Sequence, residues 1–270
     1  MTFRYFFTLC LLWSTAWGLL GCGGGSDAKN TGNADGSSAT SPVQAGVYFD
    51  GSSGHDFWGV ITPGNRWYGL NYSTANPDIY SGDLTGAGTL QASIPSLGMK
   101  YQNAADIVSN GSATLTSAGN GKLAGALNIP SMASVSFEAT APNGYTYGQA
   151  AQLGALAGSW TGQLSFGSGE SANFSMTIGA DSGGLTPSRS FASCIWNAST
   201  SSAVARSDVN LFTLTLHMDN ATNCDTDLDG KTLSGIAFIT PVSTNTQRLI
   251  WVAVTPEGHG ITFKAIRSSP

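Results

Sequence analysis

The residues best suited to hold a cation lie together in the C-terminal third. Asp225-Thr226-Asp227-Leu228-Asp229-Gly230 matches the D-x-D-x-D-G opening of a calcium loop, where alternate carboxylates converge and glycine permits the turn. Such a loop needs a bidentate Glu at its twelfth position, which here is Ile236. The expected role is therefore an Asp-rich turn between strands, braced by Asx hydrogen bonds, with no tight calcium site. Acid–base chemistry has few carriers. The chain has 3 His, at 55, 217 and 259, and Glu138, Glu170 and Glu257 are scattered. His55-Asp56 sits in a Gly/Ser-rich loop, but there is no G-x-S-x-G elbow, H-E-x-x-H, Walker loop or dinucleotide fingerprint. The chain is expected not to be an enzyme and to need no cofactor; a hydrolase using His55 or His217 is the weakest reading.

Composition narrows the classes further. Of 270 residues only 10% are charged, against about a quarter in ordinary soluble domains, and 35 are Gly. Long solvated helices and coiled coils need Glu and Lys on their exposed faces, so they are excluded. A hydrophobic content of 41% is too high for a wholly disordered chain. The net charge of −5 argues against nucleic acid as a partner, since phosphate binding needs a basic face.

The first 21 residues read as an export signal. Arg4 precedes an apolar stretch from Tyr5 to Leu20, shorter than the ~20 residues that span a bilayer as a helix. Leu19-Leu20-Gly21-Cys22 resembles the lipobox of bacterial lipoproteins. That resemblance implies a diacylglycerol thioether on Cys22, which becomes the mature N-terminus. Gly23, where retained members carry Asp, implies onward transport to the outer membrane. Residues 22–44 then form a Gly/Ser-rich tether whose one large apolar residue is Val43, too little to offset ordering entropy. Its reach as a flexible coil is roughly 25 Å. Palmitate-type chains, at ~0.8 kcal/mol per buried methylene, would make the anchor permanent.

The 4 cysteines fit an exported chain. Cys10 leaves with the signal and Cys22 takes the lipid. Cys194 and Cys224 remain in a compartment that forms disulfides, and are expected to be bonded to each other.

After residue 45 the chain reads as short strands punctuated by Gly, Asn, Asp and Pro. Leu211 to Met218 shows the clearest alternation, with Phe212, Leu214, Leu216 and Met218 inward and Thr213, Thr215 and His217 outward. Strands are also expected at 45–50, 57–62, 67–72, 78–92, 112–117, 122–129, 133–139, 159–166, 172–178, 189–197, 232–240, 247–254 and 260–266. Pro63-Gly64-Asn65 predicts a type II turn. Only Tyr147 to Leu156 looks helical, placing a linker at 147–157 between modules at 45–146 and 158–270.

Three matches suggest that the modules are related. Ala45-Gly46-Val47-Tyr48 parallels Ala157-Gly158-Ser159-Trp160, Gly121–Gly125 parallels Gly230–Gly235, and Phe137-Glu138-Ala139 parallels Phe263-Lys264-Ala265. The fold class is all-β: two tandem small antiparallel barrels or sandwiches joined by a short helix.

The lipobox, the Gly-rich tether, the opening Gly-x-Tyr and the Leu153–Trp160 linker together resemble a family of two-module outer-membrane lipoproteins of proteobacteria. A more distant likeness is to the small barrels of surface lipoproteins that bind transferrin or factor H, although those are rich in charge. Gly158-Ser159-Trp160 is also similar to the Gly-x-Trp opening of lipocalins, which implies a Trp packed against an Arg from the last strand, here Arg267.

Aromatics cluster early, at Phe57, Trp58, Trp67, Tyr68, Tyr72 and Tyr80. Alternation puts half of them in a core. The rest pair across strands or form an exposed platform for a partner, with Trp58, Trp67, Tyr68 and Tyr72 as its residues. The functional expectation is a lipid-anchored outer-membrane lipoprotein with a structural or binding role. Its partner would be the membrane and another envelope protein, a glycan or a small apolar ligand. The alternative is a lipocalin-like carrier of an apolar ligand.

Overall fold

A computed structural model describes residues 42–74, 77–102, 107–130, 132–166, 171–187, 195–197, 201–222 and 228–268. The first eight strands are β1 (Gly46–Asp50), β2 (Phe57–Ile61), β3 (Arg66–Asn71), β4 (Asp78–Asp83), β5 (Gln91–Gln102), β6 (Ile107–Gly119), β7 (Lys122–Asn128) and β8 (Val135–Thr140). Each pairs antiparallel with the next, and Phe49 of β1 meets Thr140 of β8 to close a barrel.

The second group follows a single helical turn, α1 (Leu153–Leu156). It comprises β9 (Gly158–Phe166), β10 (Ser171–Ile178), β11 (Leu185–Pro187), β12 (Ile195–Asn197), β13 (Ser202–Ala205), β14 (Phe212–His217), β15 (Asp219–Thr222), β16 (Thr232–Ser243), β17 (Thr246–Val254) and β18 (Gly260–Ser268). Eight of these form one sheet in the order β11-β10-β9-β18-β17-β16-β14-β13. Its edge strands meet through a bridge between Gly184 and Ser202, supported by Ala203 N–H to Gly183 O at 2.9 Å. With that seam counted, the strands run around the second sheet in chain order, as in the first barrel. β12 and β15 pair separately as a two-stranded ribbon.

The repeat is therefore real in topology. β1 corresponds to β9 and β8 to β18, which agrees with two of the three sequence matches. The third does not fit: Gly121–Gly125 opens the seventh strand of its module, whereas Gly230–Gly235 opens β16, the sixth. Tyr48 and Trp160 also make equivalent hydrogen bonds. The Tyr48 hydroxyl donates to Gln44 O at 2.9 Å and Trp160 Nε1–H to Leu156 O at 2.8 Å, each four residues back.

Interior packing follows the period of two. In β14, Phe212, Leu214 and Leu216 are buried while Thr213 is exposed, as the alternation predicts. Large side chains sit opposite glycines: a Cβ on Gly69 would lie 2.6 Å from the Trp67 ring, and one on Gly125 would overlap Phe137. Both interiors are thus filled by described side chains, with Trp67, Tyr80, Tyr101 and Phe137 in the first and Trp160, Phe212, Trp251 and Phe263 in the second.

A third apolar cluster joins the outer walls. Val47, Trp58, Val60, Tyr68, Leu70 and Ile79 of the first barrel pack with Ile236, Phe238, Ile250, Val252 and Val254 of the second. This explains why β2 (FWGVI) and β17 (TQRLIWVAV) carry continuous apolar runs. Their residues are covered on both faces.

Local expectations change in several places. The helix is one turn at Leu153–Leu156, not 147–156; Gly148 and Gly154 disfavour it, and Gln152 at the N-cap makes no side-chain cap bond. The strand expected at 78–92 is broken after Asp83, where Gly86 (φ 72°) and Gly88 (φ 90°) take the left-handed region. Strands β11, β13 and β15 are too short to show a period. In the β2–β3 turn, Asn65 and not Gly64 has positive φ (61°), and Asn65 N–H bonds Thr62 O at 2.9 Å. That is a type I turn followed by a left-handed residue, the geometry of a three-residue hairpin loop. Val43 is not part of a free tether: it is buried at the base of the first barrel, its N–H on Thr89 O (2.6 Å) and its O accepting from Gly88 N–H (3.1 Å).

Candidate functional site

Chain direction gives the first barrel two distinct ends. Val43, the Pro63 turn and the 84–90 loop lie at the base. Asp50, Phe57, Asn71, Asp78, Gln102 and Val135 bound the other end, the mouth.

A cluster of polar side chains occupies inward positions at this mouth. On β1, Tyr48 points inward and so does Asp50 two residues on; on β3, Asn71 follows Trp67 and Gly69; on β4, Asp78 precedes Tyr80. Asp50 is 6% exposed. It accepts from Ser52 Oγ (2.7 Å) and Ser52 N–H (3.1 Å), and Glu138 N–H approaches it at 3.4 Å. His55 Nδ1 lies 3.3 Å from its other oxygen. Burial alone would raise this carboxyl, but the hydrogen bonds from Ser52 and Glu138, with His55 beside it, hold it below the usual range. Asp78 goes the other way. Burial pushes it up, against hydrogen bonds from Tyr101 (3.3 Å), Tyr80 (3.3 Å) and Asn71 (3.2 Å).

Between these groups lies a pocket of about 150 Å³, lined by Gly54, His55, Phe57, Asn71, Ser73, Val135, Ser136 and Phe137. Phe57 and Phe137 stack with centroids 4.2 Å apart and form its floor. Asn71 is fixed at both ends of its amide, donating to Asp78 and accepting from Ser73 N–H at 3.1 Å. The sequence pointed to His55 and Phe57, and to Phe137 only as part of a module match, but not to Asp50, Asn71 or Ser73. The available signal was a polar residue at inward parity at a strand end.

The comparisons add no relative. No family model, curated protein or solved structure matches the chain.

The aromatic platform is not exposed. Trp67 fills the first barrel, and Trp58, Tyr68 and Tyr72 pack on the second, so their partner is the chain's own other half. Trp58 stacks on Phe49 at 4.2 Å, lies 5.6 Å from Phe238 and has Arg248 above it at 5.6 Å. A polar staple borders this contact. Lys264 pairs with Asp56 and lies 4.7 Å over the Tyr72 ring, while Tyr72 Oη is 2.5 Å from Thr262 Oγ1. Asp56 also accepts from Trp58 Nε1–H at 2.9 Å.

Arg267 reaches Trp160 as the Gly-x-Trp resemblance implied, its guanidinium carbon 4.1 Å from the ring centroid. His217 lies on the outer side of β14, half-exposed, with Nδ1 3.0 Å from Thr232 Oγ1. At His55 the order of groups differs from a Ser–His–Asp relay: the Ser52 hydroxyl and the imidazole both address the Asp50 carboxylate, whereas the relay puts imidazole between hydroxyl and carboxylate. Ile236, the twelfth position of the Asp-rich loop, is buried between the barrels.

Cys22, Cys194, Cys224, Asp225 and Asp227 lie outside the described residues; Asp229 sits in the turn before β16. The strands next to the last two cysteines pair antiparallel, Ile195 opposite Thr222 and Asn197 opposite Asp219. They are not consecutive strands, because β13 and β14 intervene.

Proposed function

We propose that the chain is a lipid-anchored envelope protein of the bacterial outer membrane, held through Cys22, with a non-enzymatic binding role at the mouth of the first barrel. The observation that carries the reading is the placement of Val43. Val43 is pinned at the base, and the pocket lined by His55, Asn71 and Ser73 opens at the other end of the first barrel. The continuous core shared by the barrels supports a rigid pedestal in place of two independent modules.

A lipocalin-like carrier is the second reading, supported by Arg267 stacked on Trp160. The filled interior of the second sheet counts against it, since a carrier needs an apolar cavity of roughly 300 Å³ or more.

The test of the anchor is Cys22→Ser. The variant should leave the membrane fraction and take up no labelled palmitate. Continued sedimentation with outer membranes and continued labelling would overturn the reading.

A further inference from the structure

We propose that the pocket at the mouth of the first barrel is a subsite for one ring of a neutral saccharide. The inference deepens the binding role proposed above, since it names the ligand class for the same mouth.

The argument starts from what each lining group has left to offer. His55 turns Nδ1 toward the Asp50 carboxylate at 3.3 Å. A carboxylate accepts, so the proton of a neutral ring sits on Nδ1 and Nε2 is left as an acceptor. Asn71 donates to Asp78, accepts from Ser73 N–H and also hydrogen-bonds the Tyr80 hydroxyl, so it braces the rim and has no group left to offer. Ser73 Oγ accepts from Asp56 N–H at 2.9 Å, so its own O–H is a donor. The pocket therefore offers one acceptor, His55 Nε2, and one donor, the Ser73 hydroxyl, each held by a second contact, beside an apolar wall of Phe57, Phe137 and Val135.

A ligand that fits must combine an apolar face with neighbouring groups that both donate and accept. A flat aliphatic or aromatic molecule would cover the polar rim without pairing it, at the desolvation cost of each group it covers. A simple anion cannot supply a donor to His55 Nε2, and it meets Asp50 held ionised behind that ring. A pyranose has C–H bonds on one face and vicinal hydroxyls that donate and accept at its edge. Its single ring suits a volume of about 150 Å³. Aromatic floors with a polar rim are suited to such amphipathic ligands.

The test uses the purified full chain in detergent, with saturation-transfer NMR against glucose, galactose, N-acetylglucosamine, their β-linked or α-linked trisaccharides, and glucuronate. The expected result is transfer to the ring C–H protons of at least one neutral sugar, with glucuronate silent. His55→Ala and Ser73→Ala should each cut the transfer at least fivefold with near-UV circular dichroism unchanged. Tighter binding of a trisaccharide than of its monomer identifies a glycan chain as the source; equal binding identifies free sugar. Absence of transfer from every neutral sugar, or transfer unaltered in both variants, overturns the proposal. Glucuronate binding as strongly as the neutral sugars overturns the ligand class. None of these outcomes depends on lipid at Cys22, so failure here is separable from failure of the anchor.

Discussion

The guanidinium of Arg267 stacks 4.1 Å from the centre of the Trp160 ring and joins the last strand of the second sheet to its first. It also donates to Gln247 Oε1 (3.0 and 2.9 Å) and to the carbonyls of Ala155 and Ala157. One side chain thereby ties β9, β17, β18 and the end of α1. The first barrel has no counterpart. Aligning Phe137-Glu138-Ala139 with Phe263-Lys264-Ala265 puts Ala141 at the place of Arg267.

Arg267→Ala should therefore destabilise the protein by about 1–3 kcal/mol, from the lost cation–π contact and the carbonyls left without a donor. Arg267→Lys should restore less than half, because an ammonium cannot stack and fork at once. Urea unfolding followed by Trp fluorescence measures both. Equal midpoints for wild type and Arg267→Ala would refute the closure role.

Gly235 of β16 pairs with Ala253 of β17, and a Cβ there would overlap the Val252 carbonyl oxygen and sit 2.6 Å from Ala253 Cα. The obstructing atoms are backbone of the paired strand and cannot swing away as a side chain would, so Gly235→Ala should cost roughly 3 kcal/mol or more. Gly148→Ala, which meets nothing within 4 Å, should be near neutral. Thermal melts of the pair, with a difference of several degrees expected, decide the point.

Asp50 and Asp78 give opposite pH signatures. Asp50 is lowered in the fold, so its contribution is fully present above the unfolded value of 3.8 and is lost as pH falls through the folded value. Asp78 is raised, so its contribution is complete below 3.8 and declines as pH rises through the folded value. Asp50→Asn should flatten the acid limb of the stability curve. Asp78→Asn should gain on wild type between pH 3 and pH 7. Urea midpoints across that range report both, and parallel curves for all three proteins would exclude the assignment.

The shared outer-wall core predicts one calorimetric transition for the folded body, where independent modules would give two. A Cys194–Cys224 bond closing roughly 30 residues is worth about 3–4 kcal/mol in the chain-entropy picture, so reductant should shift that whole transition. Thiol titration of the protein exported to the periplasm should find no free sulfur at these positions. Two reactive thiols in the native chain would disprove the bond.

How much of this was legible follows from where each signal comes from. The meander of strands was readable because one-face burial writes a period of two, as in Phe212 to His217. The contact between barrels was also written, in FWGVI and in LIWVAV, but a double-covered strand has the same composition as an exposed aromatic patch would. Trp58 and Tyr68 were thus assigned to an outside that the other half of the chain covers. The mouth was harder still. Asn71 ends β3 and Ser73 follows it, His55 precedes β2 and Val135–Phe137 open β8, and only the barrel's closure brings β8 to the same rim. Their spacing along the chain carries no trace of that.

The face shared by Trp58 and Phe238 has a bearing on the history of the chain. Two similar halves in tandem are usually separable, and either could be lost or recombined. Here each half has surrendered its solvent-facing wall to the other. A descendant carrying one half alone would show water an indole, phenyl rings and a row of branched side chains. The two halves are thus indivisible: neither can be cut away without stripping the cover from the other's wall.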